Sequence, residues 1–160
     1  MKSTLTPTPT TRRLVTFTVA CSLAFTVGTA LHNFAVIDTT FIEEMMRRAG
    51  ETDPAAAAPA FTTGFRIVGT AYVLGNALGM LALWKRNWWL LWTVLAVNVS
   101  QSLGWFMIPS GMWSLAREEY GVAGLIPSVV TDGGAAVLAL VLIVALVRHR
   151  TPWAQIREDH

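Results

Sequence analysis

Residues 125–147 read LIPSVVTDGGAAVLALVLIVALV, and Arg148, His149 and Arg150 follow at once. A helix rises about 1.5 Å per residue, so this run can cross a hydrocarbon core of roughly 30 Å. Asp132 alone interrupts it with a charge, near its beginning. Runs of the same kind precede it at 14–36, 64–84 and 88–108. Together they predict an all-α integral membrane protein, a four-helix transmembrane bundle spanning 14–148.

Composition points the same way. Of 160 residues, 53% are hydrophobic and only 14% are charged, against about 25% charged in an ordinary soluble domain. The net charge of +2 is small. Its basic residues form no stripe interleaved with aromatics, which excludes a nucleic-acid groove and leaves the lipid bilayer as the expected partner. Cys21 is the single cysteine, so neither an internal disulfide nor a Cys-x-x-Cys redox pair can form within the chain.

Arg12 and Arg13 before an apolar stretch also fit a secretory signal cleaved after Ala30. The run at 14–36 outlasts the about 7–15 apolar residues of such a signal, and it is expected to stay as the first span. Residues 1–13 are rich in Thr and Pro and predict a disordered cytoplasmic tail, and 149–160 form a second cytoplasmic tail. The Lys85-Arg86 turn joins runs two and three so tightly that they must be antiparallel neighbours.

Orientation follows from the basic residues. Lys2, Arg12, Arg13, Lys85, Arg86, Arg148, Arg150 and Arg157 fall on one side, whereas Arg47, Arg48, Arg66 and Arg117 on the other are diluted by acids. The positive-inside rule places both termini in the cytoplasm of a multi-pass protein of the cell membrane. Trp84, Trp88, Trp89, Trp92 and Trp153 would then form an inner aromatic belt, with Trp105, Phe106 and Trp113 near the outer interface.

The first external loop, 37–63, carries a Thr-x-x-Glu pattern at Thr40 and Glu43, then Phe41, Ile42, Met45 and Met46 on one face and charges on the other. That pattern predicts a short amphipathic helix opened by a capping box and stopped at Gly50. Asp53, Pro54, four alanines and Pro59 read as a return linker. The second external loop, 109–121, suggests one interfacial turn around Met112, Trp113 and Tyr120.

Polar side chains inside the runs are costly in lipid unless paired or lining a cavity, so they mark where function would sit. His32 and Asn33 close the first run, Arg66, Gly69, Thr70 and Asn76 occupy the second, and Asn98, Gln101 and Trp105 form a stripe on the third. Ser128, Thr131, Asp132 and Ala135 form a stripe on the fourth. All lie toward the outer ends, which predicts a polar pocket open to the outer leaflet. Asp132 needs a partner or a proton, and Arg66 is the expected partner, with His32 next. Gly75 and Gly79 suggest close helix packing.

Sharper chemistries fail. His149 and His160 lie away from His32, so no bis-histidine haem can form; His32 and Asp132 are too few for a metal. There is no phosphate-binding glycine loop and no nucleophile elbow. The residues therefore specify no cofactor. The leading expectation is a protein that binds a lipophilic small molecule, a quinone or a lipid, through Asp132, Arg66, His32, Asn33, Asn76, Asn98, Gln101 and Trp105. The alternatives are a structural or accessory subunit with a membrane-protein partner or as a homo-oligomer, a lipid-modifying enzyme, and a small transporter.

Overall fold

The computed structural model describes residues 3–107 and 110–159. Ile108, the expected end of the third span, and Pro109 lie outside the described residues. Six helices account for most of the chain: α1 (Pro9–Val36), α2 (Thr39–Arg48), α3 (Pro54–Leu83), α4 (Trp88–Met107), α5 (Ser110–Tyr120) and α6 (Ile126–His149). α1, α3 and α6 are each long and apolar enough to cross a membrane, and α4 followed by α5 makes a fourth candidate.

Local chemistry explains where these helices start. Thr8 caps α1 reciprocally: its hydroxyl accepts from the Thr11 amide and its amide donates to the Thr11 hydroxyl, with Pro9 at the first helical position. Asp53 accepts from the Ala56 amide at 3.2 Å and Pro54 follows it, so α3 begins well before position 64. The expected linker is thus helical. An Asp-Pro pair before four alanines combines a cap, a preset first turn and the best helix former.

α2 forms where expected but opens differently. Asp38, not Thr40, is its cap, accepting from the Phe41 amide at 2.8 Å. Gly50, with φ of +82°, follows its last turn in the left-handed region that favours glycine. The second loop holds a full helix, α5, rather than one turn. α2 and α5 bury Phe41, Ile42, Met45, Met112, Leu115 and Ala116 in one cluster. Arg48 pairs with Glu118 across them at 2.6 Å.

The tails differ most from expectation. Ser3–Thr6 and Ile156–Asp159 form a two-stranded antiparallel ribbon, β1 and β2, where the N-terminal tail was expected to be disordered. Between α6 and β2 the chain turns through Arg150, Trp153 and Ala154, all with positive φ. Trp153 is 1% exposed and its indole donates to the Asn87 carbonyl at 3.1 Å. It is therefore a core residue rather than part of an aromatic belt. Gln155 donates to the Arg86 carbonyl, and the Thr8 and Thr11 hydroxyls donate to the Ala154 carbonyl. These bonds gather both tails and the Lys85-Arg86 turn at one end of the molecule, hereafter the terminal end.

The distribution of polarity differs from that of a soluble protein in the large apolar side chains it exposes and the polar ones it buries beside its apolar core. Leu23, Leu31, Ile67, Leu74, Leu103, Leu140 and Val147 are all more than half exposed. Inside, Thr18, Ser22, Thr29, Asn33, Asn76, Asn98, Gln101, Ser128 and Thr131 are buried. Soluble monomers rarely expose contiguous apolar patches beyond a few hundred Å². A lipid surround removes that penalty and makes internal polar groups seek one another.

Glycines set the closest approaches. A Cβ on Gly79 would overlap Ser22 of α1, and one on Gly75 would meet Val97 of α4 at 2.9 Å. The Gly75 and Gly79 pair thus brings α3 against two neighbours, as close packing requires. A Cβ on Gly28 would meet Thr131 at 2.8 Å and one on Gly134 would meet Phe25 at 2.6 Å, and these glycines seat α1 against α6.

Candidate functional site

A partly open cavity of about 290 Å³ lies in the half of the molecule remote from the terminal end. Five helices line it: α1 through Thr29, His32 and Asn33, α3 through Phe61, Phe65, Val68, Gly69 and Tyr72, α4 through Ser100, Gln101 and Gly104, α5 through Met112, and α6 through Ser128, Thr131 and Asp132. The wall on α3 is almost wholly apolar and aromatic. The walls on α1 and α6 carry the polar groups.

Both polar walls are formed where the helix widens. His32–Val36 and Val129–Gly133 are π-helical turns. Such turns insert an extra residue per turn, redirect side chains and are frequent at functional sites. Here one turn carries His32 and Asn33 and the other carries Thr131 and Asp132. His32 has its Nδ1 buried without a hydrogen-bond partner, and its ring lies 6.2 Å from that of Phe65.

Gln101 is the centre of the polar network. Its Oε1 accepts from Asn76 Nδ2 at 2.8 Å, and its Nε2 donates to Thr29 Oγ1 at 3.3 Å and to Asp132 Oδ1 at 3.4 Å. The Thr131 hydroxyl donates to the same Asp132 oxygen at 3.2 Å. One amide therefore joins α1, α3, α4 and α6. Asn33 donates to the Arg66 carbonyl at 3.3 Å and lies where a Cβ on Gly69 would otherwise stand.

The expected Asp132–Arg66 pair does not form. Arg66 is exposed and shares a shallow surface hollow with Thr63, Ile67 and Thr70. Successive residues turn about 100° around a helix, so Phe65 and Gly69 facing the cavity direct Arg66 away from it. Ion pairs form on α2 and between α2 and α5, and none of them involves Arg66. Asp132 is met by two neutral donors instead.

Of the other expected site residues, His32, Asn33, Gln101 and Asp132 line the cavity. Asn76 stands behind Gln101 and orients it. Asn98 is buried but turned back on its own helix, donating to the Val94 carbonyl at 2.8 Å. Trp105 is not in the lining; its ring meets Trp113 of α5 at 4.8 Å. Sequence reasoning missed Phe61, Phe65, Val68 and Tyr72. They follow one another at helical spacing, one stripe of α3, and an apolar stripe within an apolar helix carries no signal that sets it apart from the rest of that helix. Among the described residues, no three His, Cys, Asp or Glu side chains gather as a metal site would require.

Comparison with protein-family models, curated proteins and solved structures gave no match.

Proposed function

We propose that the chain is a multi-pass protein of the cell membrane, a bundle of four transmembrane helices with both termini cytoplasmic, whose cavity binds a lipophilic small molecule bearing a polar ring or head. α2 and α5 would cover the bundle on its outer side. The observation that carries this reading is the cavity's division: aromatic and apolar side chains on α3 face His32, Asn33, Thr131 and Asp132 across it. Pockets of this composition hold ligands by apolar contact and orient them by a few polar groups.

Size narrows the ligand. An apolar cavity of about 150 Å³ holds one benzene ring, and this one is about 290 Å³. A substituted ring or a headgroup fits, and an isoprenoid or acyl tail must leave it. Val68 and Phe61 on α3 and Ser100 on α4 are exposed members of the lining, so the tail would leave between α3 and α4 into lipid. A quinone and its quinol meet these requirements: His32 can donate to a quinone carbonyl and Asp132 can accept from a quinol hydroxyl, while both Gln101 amide hydrogens are already given to Thr29 and Asp132.

The test is an anaerobic titration of the detergent-solubilised protein with a short-tailed benzoquinol, whose hydroxyls can donate to Asp132, followed by tryptophan fluorescence. Saturable binding weakened about tenfold or more by Asp132→Asn supports the reading, since hydrogen bonds to charged groups contribute about 1.5–3 kcal/mol. Binding that is absent, or unchanged in that variant, would sink it. A second reading, an accessory subunit, draws on the Gln101 network, which ties four helices through side chains of the bundle alone. It predicts loss of stability on mutation and no retained small molecule.

A further inference from the structure

A groove of about 590 Å³ lies between α1 and α6 near the terminal end. Farther along, the two helices are held together by Gly28 against Thr131 and Phe25 against Gly134. Arg13, Arg148 and His149 stand at the groove's mouth, and Phe17, Leu140 and Val144 line its apolar length. No carboxylate is in its lining, and neither arginine has an ion-pair partner among the described residues.

We infer that this groove binds an anionic phospholipid of the leaflet at the terminal end, with the phosphate on Arg13 and Arg148 and an acyl chain along Phe17, Leu140 and Val144. The inference rests on the membrane-spanning reading and not on the ligand cavity. Charge complementarity selects the occupant. Guanidinium groups match phosphate oxygens in pairs, and basic pockets between transmembrane helices on the cytoplasmic side take anionic headgroups. A zwitterionic headgroup would bring its ammonium beside two guanidiniums, with no acid in the lining to receive it. Depth agrees as well: the exposed Trp84, Trp88, Trp89 and Trp92 lie at the same end, where indole rings mark the headgroup level.

The test uses the full chain, solubilised and offered equimolar dioleoyl phosphatidylglycerol and dioleoyl phosphatidylcholine, with bound lipid read by native mass spectrometry. The expected result is a preference for phosphatidylglycerol of about tenfold, the scale set by two basic side chains. Replacing Arg13 and Arg148 together by Gln should abolish it, and replacing both by Lys should keep most of it. Equal retention of the two lipids by the unmodified chain, or a preference that survives the double Gln change, overturns the proposal. So does displacement of the lipid by millimolar inorganic phosphate, which would assign the arginines to a soluble anion. If the Gln variant fails to fold, the unmodified chain and the Lys variant still decide. A chain that does not partition into membranes at all would overturn the membrane reading instead.

Discussion

The Gln101 side-chain nitrogen stands 3.4 Å from Asp132 Oδ1 while its oxygen takes a proton donor from Asn76 at 2.8 Å. The amide is thereby fixed in one orientation, and the carboxyl at the cavity wall is held by the bundle itself. Replacing Gln101 by Leu should cost about 1–3 kcal/mol, because it strands Asn76 and removes a donor from Asp132. Asn98→Leu should stay within about 1 kcal/mol, since Asn98 bonds only to its own helix and its Oδ1 already lacks a partner. Equilibrium unfolding of both variants in mixed micelles makes the comparison; equal losses would contradict it.

Gly69 and Gly64 lie on the same helix in opposite situations. A Cβ at Gly69 meets the Asn33 side chain, whereas one at Gly64 meets nothing within 4 Å. Gly69→Ala should therefore destabilise by about 1–3 kcal/mol through overpacking and disturb the cavity. Gly64→Ala should stabilise by up to about 1 kcal/mol through helix propensity. Thermal unfolding of the pair would check both signs.

The charges on α2 give a pH dependence. The Glu44 carboxyl is held below the usual range, first by its hydrogen bond from Arg48 and then by Arg47. A depressed carboxyl contributes stability that is present above its unfolded value and lost as pH falls through the folded one. The protection factor of the α2 amides, exchange relative to the unfolded chain at the same pH, should therefore hold from neutral pH downward and fall only below the ordinary glutamate value of about 4.3. A fall near pH 6 would require another group.

Trp153 offers a contrast with Trp84, which is 74% exposed. Trp153→Ala should cost about 3–5 kcal/mol, as deletion of a buried aromatic does, and should expose residues 151–159 to protease. Trp84→Ala should leave folding and cleavage unchanged in micelles.

The long apolar helices were legible because each needs only a long apolar run, and the polar residues of α1, α4 and α6 were legible because they stand out within such runs. Facing was harder. Arg66 was assigned to Asp132 on charge, but its side of α3 is fixed by how Gly69 admits Asn33, a tertiary contact with no local signature. The two π turns likewise carry no sequence mark, although they set where His32 and Asp132 point. The start of α3 is readable from Asp53, Pro54 and the alanines, a signal offset by Pro59, which in isolation reads as a helix breaker. The ribbon of Ser3–Thr6 with Ile156–Asp159 joins opposite ends of the chain, a pairing that periodicity within either tail does not reveal.

The central claim is that the cavity is occupied by a lipophilic molecule, and the direct measurement is native mass spectrometry and solvent extraction of the protein purified gently from membranes. The account predicts one ring-bearing lipophile per chain, lost on Asp132→Asn and retained on Arg66→Gln, because Arg66 faces away from the cavity. A stable, folded chain that carries nothing, in cells that make quinones, would contradict the account.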